Sequence, residues 1–379
     1  MYKREQKMRQ SLIVLTITLL IFITGCSEQT PQDYETKPFT AERINYDFTK
    51  VYSINSEGLI VGLAERGGES SLAVYDVNND SIAREIKLNQ RIEQKCFITD
   101  SGLIAGVLRD KDTGRFVLFK AVPGSTEIQR TSISGADMLL EKKKFHLVGY
   151  SESYEGTVRP FVISEDGKIE KPAFHGKIKA LADNGMYAAE PQKDAGDKII
   201  FGKLGTEEIE EVSFPVYHFI CDINEDGDII ASVFNQGRKG LAAVSKSGKT
   251  DFINSPTAVY GLFTGSGIVY DFFSDKTNNL TLACRTDGNT VELESLGNRS
   301  GKYYWNENLN AAIASFSGSG LIYWKPENSV VYQWRPEGCN DFQNILIDDT
   351  ARSGNALITV YCDGKAPAFY AASADEISK

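Results

Sequence analysis

The sequence predicts an all-β protein, a β-propeller of eight four-stranded blades, with seven as the alternative count. Three observations predict it. A hairpin phrase recurs as INSEGLIVG at Ile54–Gly62, ITDSGLIAG at Ile98–Gly106 and INEDGDIIA at Ile223–Ala231. Its turn position returns along the chain every 40 to 44 residues, a period that suits one four-stranded blade. Beyond the N-terminal segment, no stretch of a dozen residues carries a helical period, while short Ile- and Val-rich runs bounded by turn residues are frequent. A chain of 379 residues with 41% hydrophobic and 24% charged residues has the composition of a globular protein.

The N-terminus stands apart from this pattern. Lys3, Arg4, Lys7 and Arg9 precede a run, Ser11–Ile23, that is apolar apart from its hydroxyls and short for a membrane span. It ends in Ile23-Thr24-Gly25-Cys26, which resembles the lipobox of bacterial lipoproteins. The resemblance implies that residues 1–25 are a signal peptide and that Cys26 becomes a lipidated N-terminus, anchoring the protein to a membrane at the extracytoplasmic face of the cell envelope. An uncleaved signal anchor is the alternative. Loss of residues 1–25 would remove four bases and one acid and take the formal charge of −10 three units further negative. Such an acidic chain is a poor general binder of nucleic acid, whose affinity rests on phosphate neutralisation. Residues 26–37, with Ser27–Lys37 polar and aperiodic, read as a flexible tether, and residues 38–379 as the propeller.

Within the propeller the turn positions fall at Gly58, Gly102, Phe145, Gly185, Gly227, Gly267, Asn310 and Gly354. The third and seventh copies lack the glycine and are placed by the apolar run that follows. In the first unit the strands, lettered A to D from the axis outward, read as Val51–Asn55, Leu59–Ala64, Leu72–Asp76 and Ile82–Leu88. The eighth unit has strands near Ile345–Asp349, Ala356–Cys362 and Pro367–Ala372, and its remainder, ADEISK, is too short and polar for an outer strand. Phe39–Ile44 is otherwise unused. Placing it as the eighth blade's outer strand closes the ring and removes an open edge.

The phrase resembles the extracellular HAF repeat, roughly IN-x-x-G-x-V-x-G followed by AF-hydrophobic and a DG turn. Ile54, Asn55, Gly58, Val61 and Gly62 carry the match in the first unit, Pro160-Phe161-Val162 and Asp166-Gly167 in the third, and Ala368-Phe369 in the eighth. The resemblance implies a propeller and brings no shared catalytic residue.

Candidate chemistry is sparse. Setting Cys26 aside leaves Cys96, Cys221, Cys284, Cys339 and Cys362, with no CxxC pair; buried small hydrophobes are expected, and disulfide pairing stays open. The three histidines, His146 in a B strand, His175 near the end of a D strand and His218 in an A strand, show no zinc-ligand spacing, and no metal or cofactor is expected. Asp222–Gly227 begins like a calcium loop, but its twelfth position is Val233 where a carboxylate is needed, so a polar hairpin turn is expected. Ser247-Gly248-Lys249-Thr250 lacks both the first glycine and the helix of a phosphate loop. Every tryptophan lies in the seventh unit beside Tyr303, Tyr304, Tyr323 and Tyr332, where packing between blades is the first reading and sugar stacking the second.

Nearly every B–C loop carries a base: Arg66, Arg115, Arg159, Lys198, Arg238, Lys276 and Lys365. The opposite turns are mostly acidic, with Lys142–Lys144 and SKSGK as exceptions. Scattered solubilising charge is one reading. The other is a ring of bases at one face that attracts an acidic partner or anionic glycan. The sequence thus reads as a monomeric, lipid-anchored binding or scaffold module for a protein or glycan partner. The alternative is an extracytoplasmic propeller enzyme, a hydrolase or lyase acting on glycans.

Overall fold

In a computed structural model of the chain, the strands form eight sheets, each a blade. The structure describes residues 34–377 except 193–197, 214–216, 236–237, 254–257, 274–279, 287–288, 294–298, 317–319, 338–343 and 363–364. The first blade is Phe48–Ile54, Leu59–Arg66, Glu69–Asp76 and Ser81–Leu88, paired antiparallel in that order. The inner strands of blades 2 to 8 are Phe97–Ile98, Asp137–Lys143, Gly176–Leu181, Tyr217–Ile223, Ala258–Phe263, Arg299–Asn306 and Asn344–Thr350. The count of eight and the expected hairpin ruler both hold. His146 opens a B strand and His218 lies in an A strand, but His175 precedes the inner strand of blade 4 because the D strand of blade 3 is only Ile169–Glu170.

The recurring asparagine of the hairpin phrase has two tasks. Asn55 Oδ1 accepts the backbone N–H groups of Glu57 and Leu59, tightening its own turn, while Nδ2 donates to Thr99 O in the next blade at 3.2 Å. Asn224 caps its own turn in the same way, and Asn306 Nδ2 donates to Ala351 O across the next junction at 3.2 Å. One side chain therefore satisfies buried backbone groups in two blades at once. The glycine-less turns use left-handed residues instead: Lys144 has φ 48° and Asn310 φ 47°. Asparagine tolerates that region, whereas lysine adopts it at a cost.

The two chain ends meet as expected. Strand β2, Ala41–Arg43, pairs antiparallel with Ala368–Ala372 and supplies the outer strand of blade 8. Phe39 and Ile44 on either side of it are buried, and the Phe39 ring meets Tyr323 edge-on with centroids 5.2 Å apart. One strand was not expected. Strand β1, Glu35–Pro38, runs parallel to Val330–Trp334 as a fifth strand on blade 7. The last residues of the expected tether are thus held in a sheet, and Tyr34 packs against Trp324. The C-terminal ADEISK also contributes: Ala374–Glu376 form a 3-10 turn, Ile377 is fully buried, and Glu376 accepts two hydrogen bonds from Thr40.

Blade-to-blade packing is apolar and continuous, with separate clusters filling the junctions. Cys96, Cys221 and Cys284 are buried free thiols, as expected, while Cys362 is disulfide-bonded.

Candidate functional site

The inner strands do not alternate cleanly, and four of the departures fall at the same place in their strands. In blades 1, 4, 5 and 8 the pairing of strand A with strand B slips two residues before the end of strand A, leaving Tyr52, Lys179, Cys221 and Asp348 as the extra residue, and blades 1, 5, 6 and 7 also slip nearer the start of the strand. A bulge re-aims the side chains around it. Here Lys179, Cys221 and Asp348 line a cavity of about 420 Å³ in the bore, with walls from the inner strands or their leading residues in blades 2 to 8.

Charged side chains cross this bore. Lys142 Nζ lies 3.0 Å from Asp349 Oδ2 and donates to Thr350 O at 2.7 Å, tying blade 3 to blade 8. Asp349 also accepts from Ser53 Oγ and the Ile54 N–H of blade 1. Lys144 reaches Glu307 of blade 7 at 3.5 Å. Lys95 donates to Asp348 O. Where the A–B turns converge, Arg352 Nη2 stands 3.9 Å from Asp183 Oδ2, and its guanidinium covers the Phe145 ring at 4.6 Å. Blades 4 and 8, like blades 3 and 7, face each other across an eight-bladed ring, so these contacts span the A–B end of the bore. At the other end Thr49, Lys50, Val259 and Leu346, in the first halves of their strands, are exposed.

Burial sets the protonation tendencies. Asp222 is buried, accepts the Phe263 N–H at 2.9 Å and has its pKa pushed up by desolvation, opposed by the charge of Lys144. Asp348 is likewise pushed up by desolvation, opposed by the hydrogen bond from Thr359 Oγ1 and by Lys95. For Lys144, desolvation lowers the pKa, but Asp222, Glu307 and Asp183 together outweigh it and leave it raised. His146 is lowered by burial, with Asp183 opposing. Tyr260 and Tyr304 are raised by desolvation, with Asp222 acting on the first and Asp349 and Asp348 on the second.

The seven bases singled out from sequence lie elsewhere. Arg66 ends a B strand with its guanidinium 5.0 Å from the Tyr46 ring, and Arg115 lies 5.3 Å from the Tyr154 ring. Arg159 borders a shallow recess with Ser132, Ser134 and Lys171. Lys198 pairs with Glu211 at 2.8 Å. Lys365 is exposed beyond the last B strand. The backbone of Arg238 opens a C strand, and its side chain and the whole of Lys276 lie outside the described residues, as does Cys26. None of the described bases lines the bore cavity. The bore lysines were legible only as the Lys142–Lys144 exception on the turn face.

The other singled-out stretches resolve simply. Asp222–Gly227 is a hairpin turn whose aspartate is spent on the blade 6 backbone. In the seventh blade Tyr303, Tyr323, Trp324 and Trp334 are buried in packing, and Tyr303, Tyr304 and Trp305 border the cavity.

No protein-family model matches the sequence, and no curated protein matches it. Solved structures do. Dipeptidyl peptidase 4 of Porphyromonas gingivalis aligns with TM-score 0.51 at 12% identity over 85% of this chain, which spans only 59% of that chain. The β-propeller domain of the Trilobed protease of Pyrococcus furiosus aligns with TM-score 0.48 at 11% identity over 77% of this chain and 99% of that one. TolB of Acinetobacter baumannii aligns with TM-score 0.39 at 12% identity over 83% of this chain and 78% of that one. At these identities the likeness is one of fold.

Proposed function

We propose that the protein is a lipid-anchored, extracytoplasmic propeller that acts as a binding or scaffold module for a protein or glycan partner, engaged at the face where the B–C loops lie. The lipobox at Ile23–Cys26 supports the anchor. One observation carries the choice of face. Of the large apolar side chains exposed among the described residues, Tyr154, Phe273 and Tyr361 sit in or beside B–C loops, and Tyr154 is 68% exposed. They share that face with the bases, and Arg115 lies over Tyr154 itself. Aromatic rings flanked by arginines suit both protein interfaces and sugar stacking. The bases add attraction for acidic groups that should weaken with salt.

Two experiments test the reading. A fatty-acid label should enter the wild-type protein and not Cys26→Ser; label in the variant would overturn the anchor. A photo-crosslinking residue at Tyr154 should capture a discrete partner in intact cells, whereas one at Phe252, exposed on an outer strand, should not. Equal capture at both positions would overturn the choice of face.

A further inference from the structure

We infer that the bore cavity is a second, separate binding site, and that it takes a small, uncharged, hydroxyl-rich ligand of mono- or disaccharide size. This inference does not rest on the anchor or on the B–C face.

Size and enclosure come first. A volume of about 420 Å³ falls in the range of roughly 300–1,000 Å³ that small-molecule sites occupy. The wall's charges then narrow the chemistry. Lys142 is held by Asp349 and Thr350 O, Lys143 by Glu141, Lys144 by Glu307, Lys179 by Glu190, and Lys95 donates to Asp348 O. An anion would have to compete with these partners for each lysine, and a cation would enter a wall studded with ammonium groups. A neutral ligand enters without dismantling any pair.

The same wall holds polar groups that a hydroxylated ligand would satisfy. The hydroxyls of Tyr260 and Tyr304 have no hydrogen-bond partner among the described residues, although both rings are set into the cavity wall. They lie within electrostatic reach of Asp222 and of the Asp348–Asp349 pair, respectively. Both residues are half-buried, and in the same wall Trp305 Nε1 is buried without a partner among the described residues, where buried polar groups ordinarily find one. Phenols and carboxyls in one wall present both donors and acceptors, and Phe145, Phe263 and Trp305 add apolar faces. Polar edges with flat apolar faces are what a sugar ring matches. Entry is from the end where the inner strands begin, since the A–B end is crossed by Lys144–Glu307 and Arg352–Asp183.

The test is titration of the full chain, in a detergent without a sugar headgroup, with glucose, galactose, N-acetylglucosamine and cellobiose, read by calorimetry and by tryptophan fluorescence. Spermidine and inorganic phosphate are the charged probes. At least one neutral sugar is expected to saturate, and Tyr260→Phe and Tyr304→Phe are each expected to weaken it about tenfold or more, the scale of one buried hydrogen bond. Each removes only a hydroxyl, so thermal unfolding should stay unchanged and separate lost binding from lost folding. Tyr154→Ala, in a B–C loop at the entry end but outside the cavity lining, should leave the affinity intact. The inference is overturned if none of the four sugars saturates, if only spermidine or phosphate binds, or if sugar binding responds to Tyr154→Ala and not to the phenol variants.

Discussion

Two lysine–carboxylate pairs of similar length sit at opposite radii of the ring. Lys142 and Asp349 meet in the bore at 3.0 Å, with side chains 12% and 6% exposed. Lys87 and Glu69 meet on the outer half of blade 1 at 3.4 Å, with side chains 83% and 79% exposed. The chemistry is the same and the setting is not. In water each charge has a solvent shell to return to, so the outer pair is nearly optional. In the bore neither charge has that option, and Asp349 has further committed itself to Ser53 and Ile54 of the neighbouring blade. Charge at the centre of this propeller therefore joins blades, a task that apolar packing performs elsewhere.

The largest disruption should come from the apolar seam at the rim. Removal of residues 34–44 takes away β1, β2, Phe39 and Ile44, opening the edges of blades 7 and 8. Loss of a buried phenylalanine alone costs about 3–5 kcal/mol, so urea unfolding of the truncated chain should show a loss of at least that size. A midpoint unchanged from the intact chain would mean that the ring closes without its N-terminal strands.

In the bore, Lys142→Ala should cost about 3–5 kcal/mol, because it strands a buried carboxylate. Lys142→Ala combined with Asp349→Ala should recover part of that loss, since no charge is then left unpaired. Urea unfolding of the single and double variants checks this. Equal losses for both would show that Asp349 is served by Ser53 and solvent, and that the bore pair resembles the outer one.

Much of the ring was legible in the sequence because the hairpin phrase is a local signal. Gly58, Asn55 and their repeats must be close in sequence to make a turn, and the nine residues Ile54–Gly62 contain the whole turn. The closure at Ala41–Arg43 was legible by subtraction, as an unused strand beside a blade that lacked one. The bore was not. Its character depends on bulges that shift Asp348, Cys221 and Lys179 out of alternation, and a bulge leaves no fixed residue type behind it. Lys142 and Lys144 read as turn-face charge because their partners, Asp349 and Glu307, lie more than 160 residues away in sequence. Strand β1 was hidden for another reason. Its pairing uses the backbone, and its side chains, Glu35 to Pro38, are largely exposed and carry no apolar pattern.

Asp222 sharpens the comparison through pH. It is a bore carboxyl without a direct ion pair among the described residues, and burial raises its pKa. A folded-state pKa above the unfolded one means that the folded protein holds the proton more tightly. The stability linked to this group is then fully present below the ordinary aspartate range, about 3.9, and is lost as pH rises through the folded value. Asp222→Asn keeps an acceptor for the Phe263 N–H and removes the titration. It should be more stable than the wild type at pH 7, by less than the effect of Lys142→Ala, with the gap closing towards pH 4. Thermal unfolding across that range checks it, and a gap that widens in acid would reverse the assigned direction. Lys144 and Glu307 both act on Asp222, so Glu307→Gln should be measured beside it.

The smallest effect belongs to the outer pair. Lys87→Ala removes a largely solvated ammonium from a D strand whose residues alternate between exposed and half-buried, or in Ile86 fully buried. Exposed pairs contribute about 0.2–1 kcal/mol in double-mutant cycles, and many contribute nothing measurable. The cycle of Lys87→Ala with Glu69→Ala should therefore return a coupling at or below that range. Whatever coupling exists should fade between low salt and about 1 M, where the Debye length falls to about 3 Å. The Lys142–Asp349 coupling, screened by protein rather than by ions, should persist at the same salt. If both couplings fell together, the bore would be as wet as the rim, and the distinction between structural charge at the axis and solubilising charge at the edge would have to be given up.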